Sequence, residues 1–412
     1  MRALKHSAAL LLACSLFAGG SGKTLTLDDY ISSYKQKEFE LDYKKNEEES
    51  SKLRDSWIAP LQLNYRYNKS NPYDNLQVAK NASISMNQPI FRSGGIYYGI
   101  KFATASKKYT NYSITMQKRK LIKDAISLLM QIKKSELQLK KQTKQIENSA
   151  IKLEQNRQEY LSGNLDSGFL DNAIIQLNLV KQAKFDMEAG KEKLISKFKA
   201  LSDINYKTAY IPYLQNISQE EFLSHNIALR YFRSQKKKNL YAKNVTIAKY
   251  LPSLSLRASY NRDELSNPTF AGTGVPSPPP TNYYSYGFNI SMPLDWNTFR
   301  DIESSKIDYL KADVLIEDKK RELASLYEQV EQNLKNIEQK ITLAKENYDI
   351  YKKLLDDTRK LYKAGYKAKP DVDLLQNSAD MAKIDMQIYE IDKQLELLNL
   401  YEYYTPGENN AL

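Results

Sequence analysis

The chain repeats itself, and no other feature limits its possible folds as tightly. Tyr160-Leu-Ser-Gly163, with Asp171 downstream, recurs as Tyr362-Lys-Ala-Gly365, with Asp373 downstream, at an offset of 202 residues. Ala59-Pro60-Leu-Gln-Leu-Asn-Tyr65 answers Leu251-Pro252-Ser-Leu-Ser-Leu256 at an offset of 192, and Asn87-Gln-Pro89-Ile-Phe91 answers Ser291-Met-Pro293-Leu-Asp295 at 204. Landmarks in one order at near-constant spacing mean that about half the chain was duplicated, and an internal repeat fixes architecture more firmly than local propensity does. The shift from 192 to 204 places 12 extra residues in the second copy. The expected organisation is a leader over 1–22, a first repeat over 23–216, a second over 217–405 and a tail over 406–412.

Within each repeat the apolar period changes. Leu61, Leu63, Tyr65 and Tyr67 alternate with polar residues, as do Ala82, Ile84 and Met86. In the second copy Leu254, Leu256, Ala258 and Tyr260 alternate, followed by Tyr284, Tyr286, Phe288, Ile290 and Met292. Period two over about 8–11 residues predicts four strands, each with one apolar and one polar face. Helices are expected before them, from Asp28 to about Trp57 and from the capping-box spacing Ser218-Gln-Glu-Glu221 to about Tyr250. The segments Ser70–Lys80 and Glu264–Thr281 read as loops, and the second contains Gly272-Thr-Gly-Val-Pro-Ser-Pro-Pro-Pro280, where the 12 extra residues sit.

After each strand pair comes a stretch without Gly or Pro, from Ile100 to Ser162 and from Leu294 to Ala364. Helices of that length reach about 95–100 Å. The second carries an apolar seam at Leu323, Tyr327, Val330, Leu334, Ile337, Ile341, Ala344, Tyr348, Tyr351 and Leu355, in alternating steps of 4 and 3. That is a heptad pattern, and it predicts coiled-coil packing. Both long helices end at the repeated Tyr-x-x-Gly turn, where Gly163 and Gly365 suit a left-handed C-cap. Return helices follow, from about Leu170 to Leu201 and from about Pro370 to Tyr404.

The polar strand faces are rich in Asn, Ser, Gln, Arg and Gly, while tyrosines mark the ends of the apolar faces; the chain has 31 Tyr against 12 Phe and 2 Trp. Apolar-out, polar-in strands of about ten residues with aromatic ends are the pattern of an outer-membrane sheet. Four strands are too few to enclose a lumen, and an open edge in lipid leaves backbone groups unpaired at several kcal/mol each. Several chains must therefore pool their strands. The N-terminus is expected to be an export signal, with Arg2 and Lys5 before the apolar run Ala8–Ala13 and small residues after it. Two readings of the single cysteine, Cys14, stand: filler in a cleaved signal, or the lipidated first residue of a lipoprotein. Neither allows a disulfide.

Taken together these residues resemble the TolC-like outer membrane efflux proteins over essentially the whole mature chain. The junction Gln88-Pro89-Ile-Phe91-Arg-Ser-Gly-Gly95, the strand opening Tyr250-Leu-Pro252-Ser-Leu-Ser-Leu256 and the Tyr-x-x-Gly turns carry the resemblance. It implies a mainly α fold with β: a long antiparallel coiled-coil tunnel plus four transmembrane strands per chain, forming a 12-stranded barrel in a homotrimer. It also implies a bacterial outer membrane location extending into the periplasm, and a role as exit duct of a tripartite efflux or type I secretion system. The implied partners are outer membrane lipid, a periplasmic adaptor and an inner-membrane transporter.

In that family acidic residues narrow the tunnel near the Gly turns. Asp371, six residues past Gly365, matches one such position; the second falls on Leu374, leaving Asp373 as a substitute on another side of the helix. Tyr362 and Lys367 sit where closed members keep a latch, but the partner position in the first copy is Phe169, not an acid. Tyr160, Gly163, Tyr362, Gly365 and Lys367 are the expected adaptor-facing tip. The alternatives are a periplasmic adaptor or a structural coiled-coil envelope protein, and neither explains two amphipathic strand pairs.

Composition excludes other classes. The formal charge of +12 comes from lysines interleaved with acids along helical segments, with Lys236-Lys-Lys238 the only triple run, so no nucleic-acid partner is expected. A mean hydropathy of −0.61 is too polar for a helical membrane protein. With two histidines, and no nucleophile triad or phosphate loop, neither enzyme activity nor a cofactor or metal is expected.

Overall fold

In a computed structural model, the structure describes residues 27–71, 76–266 and 279–406. The expected signal at 1–22 with Cys14, the inserted segment at 267–278 and the end of the tail lie outside the described residues. Seven helices and four strands run in the order α1 (Ser33–Arg54), β1 (Gln62–Ser70), β2 (Gln77–Phe91), α2 (Gly95–Leu161), α3 (Ser167–Leu201), α4 (Gln219–Ser224), α5 (Ile227–Lys249), β3 (Ser253–Ser266), β4 (Thr281–Ser291), α6 (Thr298–Lys363) and α7 (Lys369–Tyr401) among the described residues. The architecture is mostly helical with a minority of strand. With Gly and Pro absent from their interiors, α2 and α6 run unbroken for 67 and 66 residues, about 100 Å each.

The described residues fall into two compact units, each drawing on both repeats. One comprises the described residues within 42–113 and 229–318 and contains the sheet; the other comprises 27–41, 114–228 and 319–406.

The sheet is antiparallel throughout, in the order β1-β2-β3-β4, so the two repeats join where β2 pairs with β3. Here the expected 12-stranded barrel must be corrected. The four strands form an open sheet with β1 and β4 as its edges. One chain has too few strands to curl until its edges meet. The two inner strands are also longer than expected, 15 residues in β2 and 14 in β3, because their pairing continues into segments read as loops. No helix among the described residues is long and apolar enough to cross a membrane.

In the helical unit the α6 seam packs inward: Leu323, Val330, Leu334, Ile337, Ala344 and Leu355 are buried and the remaining seam positions half-buried. Phe198, Phe222, Ile126, Leu129, Met130, Leu397 and Leu400 complete the core there.

Two expected helices are interrupted at equivalent places. A 3-10 turn at Leu27–Tyr30 precedes α1, and α4 is separated from α5 at His225-Asn226. At each break the chain donates a backbone N–H to the end of the return helix region of the same repeat, Ser32 to Leu201 O at 2.8 Å and Ile227 to Tyr403 O at 2.9 Å. The first strap is reinforced by Asp203, which accepts from the Ser33 N–H at 2.8 Å and its hydroxyl at 2.9 Å. Those two bonds hold the Asp203 carboxyl below its ordinary pKa. The second is reinforced by backbone, with the Thr405 N–H donating to His225 O at 2.9 Å. A capping spacing such as Ser218–Glu221 predicts where a helix starts but says nothing about a strap arriving two turns later.

Candidate functional site

The repeated turns close with the same backbone. Gly163 has φ +73° and Gly365 φ +83°, values that cost an L-residue roughly 1–2 kcal/mol. In the first turn the Gly163 N–H donates to Tyr160 O at 3.0 Å and Asn164 N–H to Glu159 O at 2.9 Å. In the second, Gly365 donates to Tyr362 O at 3.0 Å and Tyr366 to Leu361 O at 2.9 Å. This is the Schellman arrangement, in which the residue after glycine reaches back to the last free carbonyls. The repeated tyrosines supply one of those carbonyls, and their side chains stand exposed.

The helices that follow start differently. Asp166 is the N-cap of α3, and its carboxylate accepts from the Gly168 N–H at 2.8 Å. The equivalent of Asp166 in α7 is Ala368, which has no side-chain oxygen. There Asp371 reaches back instead and accepts from the Ala368 N–H at 3.3 Å. Asp371 also lies 3.8 Å from the Lys367 ammonium, and Asp373 pairs with Lys369. Both expected constriction acids thus carry a local lysine partner one helical turn away.

Sequence reasoning missed a ladder between α2 and α7. Lys134 meets Asp392 at 2.6 Å, Lys141 meets Asp385 at 2.7 Å, Lys144 meets Asp380 at 3.7 Å, and the Asn377 amide donates to Asn148 Oδ1 at 2.9 Å. Glu147, then Asp380, hold the Lys144 ammonium above its ordinary pKa. The signal was present, since Lys134, Lys141 and Asn148 are spaced by sevens, as are Asp392 and Asp385. A cleft of about 270 Å³ opens beside it between α2, α6 and α7, lined by Lys141, Tyr351, Asp385 and Tyr389 among others. Among the described residues no group of His, Cys, Asp and Glu is placed to hold a metal ion.

In the sheet-bearing unit the strands sort their side chains by face. Register places Leu63, Ile84, Tyr260 and Tyr284 in one row, with Tyr286 and Phe288 continuing the same face. These residues are exposed, Tyr286 at 80 %, and the Tyr284 and Tyr286 rings stack 7° from parallel. An apolar face left open on this scale is built to meet something apolar. The opposite face is polar, with Ser259 and Ser285 hydroxyls 2.8 Å apart and an Asn81–Asp263 hydrogen bond.

The two junctions singled out in the sequence meet here. The Gln88 side chain accepts from the Ala59 N–H at 2.9 Å and donates to Trp57 O at 3.1 Å, fixing the entry to β1. Ser93, at φ +45°, donates its hydroxyl to Pro252 O at 2.6 Å.

Comparison with known proteins decides the family. Residues 220–403 match the family model described as outer membrane efflux protein. The outer membrane protein VceC of Vibrio cholerae has the same fold, with a TM-score of 0.71 at 12 % identity, covering 92 % of this chain and 95 % of that one. Residues 220–403 belong to the outer membrane efflux protein family, and the chain as a whole has the TolC-like fold. The CmeC outer membrane channel of Campylobacter jejuni shares this TolC-like fold at a TM-score of 0.70 and 12 % identity, over 93 % of this chain and 86 % of that one. So does the MtrE outer membrane channel of Neisseria gonorrhoeae, at 0.61 and 12 %, over 91 % and 87 %. No curated protein sequence matches the chain. That family match and fold support an outer membrane location with a periplasmic extension, and a transport role. Its role is that of an exit duct for efflux or secretion.

Proposed function

We propose that this duct works as a homotrimer, taking cargo from an inner-membrane transporter through a periplasmic adaptor. The observation that carries the reading is the exposed apolar face of the sheet together with its two unpaired edges, β1 and β4. Neither can stand in lipid or water alone, so other copies of the chain and the lipid itself must cover them. A second observation supports oligomerisation. α3 leaves Phe169, Ile175, Leu179 and Phe185 exposed, and α6 leaves Leu343, Ile350, Leu354 and Leu361 exposed at steps of 7, 4 and 7. These are helical stripes without a partner in their own chain.

The turns at Tyr160–Gly163 and Tyr362–Gly365, with Lys367, are proposed as the adaptor-facing tip, and Asp371 with Asp373 as the constriction. Lys367 and Lys369 dilute the field of those acids, so their effect on ions is modest. A periplasmic adaptor or a purely structural coiled coil would have no use for the apolar sheet face.

Membrane fractionation with chemical crosslinking tests the assembly. The expected result is recovery in the outer membrane as a species of three chains; a monomer in the soluble periplasm contradicts it. In planar bilayers, Asp371→Ala is expected to weaken block by multivalent cations, and unchanged block would remove Asp371 from the constriction.

A further inference from the structure

The polar face of the sheet is almost without charge, and the exceptions are unevenly placed. Among the described strand residues on that face only Arg66, Arg257 and Asp263 are ionised groups. Both arginines are exposed, and neither forms an ion pair among the described residues. Asp263 already receives the Asn81 amide, and its row places it two strands from Arg66, about 9–10 Å away at the usual strand spacing. Arg66 is therefore partly balanced.

Arg257 is not. It sits on β3 between Asn87 on one side and Gly287 on the other. Asp263 is six residues along the same strand, about 20 Å away, beyond the Debye length of about 8 Å at physiological salt. Gly287 leaves open space opposite the guanidinium, since a Cβ there would meet nothing within 4 Å. Around this notch the face offers Ser259 and Ser285 hydroxyls and the Asn87 and Asn289 amides, which can hydrogen-bond a passing solute without adding charge.

We propose that Arg257, seconded by Arg66, biases the duct toward anionic solutes. The inference rests on the polar face being the wet face along which cargo leaves. A planar guanidinium with free donors attracts carboxylate, sulfate or phosphate groups by charge and by paired hydrogen bonds. The lone acid on the face is too distant to cancel it. Repeated in every copy of an assembly, the same notch presents a ring of unpaired positive charge, the arrangement by which pores favour anions.

The test is the reversal potential of the purified full-length protein in planar bilayers across a KCl gradient, kept at or below about 0.1 M so that the Debye length stays near 10 Å or longer. Whether channels form at all tests the duct; which ion they prefer tests Arg257. The expected result is that wild-type channels pass chloride more readily than potassium. Arg257→Gln should shift the permeability ratio toward potassium by roughly two- to fourfold, as one unit charge a few ångströms from the ion path requires in water. Arg257→Glu should shift it further, Arg257→Lys should preserve it, and Arg66→Gln should move it less. Gly287→Asp, which sets a carboxylate opposite an intact Arg257, should reproduce the Arg257→Gln effect. A wild-type preference for potassium, or a ratio unchanged by Arg257→Glu and Gly287→Asp, overturns the proposal.

Discussion

Asn377 in α7 and Ile175 in α3 stand 202 residues apart, at the same place after their turns, yet their environments are reversed. Asn377 is polar and only 5 % exposed, hydrogen-bonded to Asn148 of α2. Ile175 is apolar and 53 % exposed. Two residues further on the copies agree, with Ala379 and its counterpart Leu177 both buried, but α3 also leaves Leu179 and Phe185 exposed. α7 is enclosed by its own chain, with α2 on one side and α6 on the other, and can use polar ladders where apolar packing would leave register unspecified. In its first turns α3 shelters only Leu170, Ala173, Leu177 and Val180 and leaves Phe169, Ile174, Ile175 and Leu179 uncovered, while further on Ile195 and Phe198 are buried. The duplication gave the chain two hairpins of one plan. The difference between them separates a return helix covered by its own chain from one that the chain leaves partly uncovered.

The largest expected effect separates the two return helices directly. Ile388→Ala, at a buried α7 position, should destabilise the protein by about 2–5 kcal/mol. Ile175→Ala should stay within about 0.5 kcal/mol in separated chains while weakening the oligomer. Chemical denaturation in detergent followed by circular dichroism, alongside crosslinking, reads both; equal losses would erase the distinction.

The turns themselves should not differ. Gly163→Ala and Gly365→Ala are each expected to cost about 1–2 kcal/mol from the positive φ alone, because a Cβ at either position meets nothing within 4 Å. Thermal unfolding of both variants checks this, and a cost confined to one turn would mean that the other relaxes.

The caps sharpen the contrast at smaller scale. Asp166→Ala should cost about 1 kcal/mol as the loss of a true N-cap. The longer back-bond of Asp371 is worth about 0.5 kcal/mol or less, so Asp371→Ala should leave unfolding nearly unchanged. A large loss there would make Asp371 a structural residue first.

Last come the straps. The Asp203 carboxyl has a lowered pKa, so its contribution is present above the unfolded carboxylate value near 4 and fades as pH falls through the lower folded value. Asp203→Asn should therefore flatten the acid limb of the stability profile below about pH 4. The second strap, made of backbone, should contribute no such limb.

Much of this was legible from residues alone. The a/d seam of α6 reads directly because heptad spacing and burial follow from the same helix geometry, and every seam position is at least half-buried. The turns read because only glycine sits easily at φ near +80°. Strand faces read because alternation has period two. What did not read were features that depend on a distant segment. The breaks at Ile31-Ser32 and His225-Asn226 exist because Leu201 and Tyr403 arrive to accept the backbone N–H groups of Ser32 and Ile227. The α2–α7 ladder needs the pairing of two helices more than 200 residues apart. The closed barrel failed for a third reason: one chain holds only four strands, and its sheet stays open.

The account turns on the claim that a single chain is incomplete, its open edges and the stripes on α3 and α6 reserved for further copies. The mass of the detergent-solubilised protein, measured by light scattering with the detergent subtracted, tests this most directly. The account predicts a particle of close to three chains of 47.6 kDa, less any cleaved leader. A stable, well-folded particle of one chain mass would contradict it.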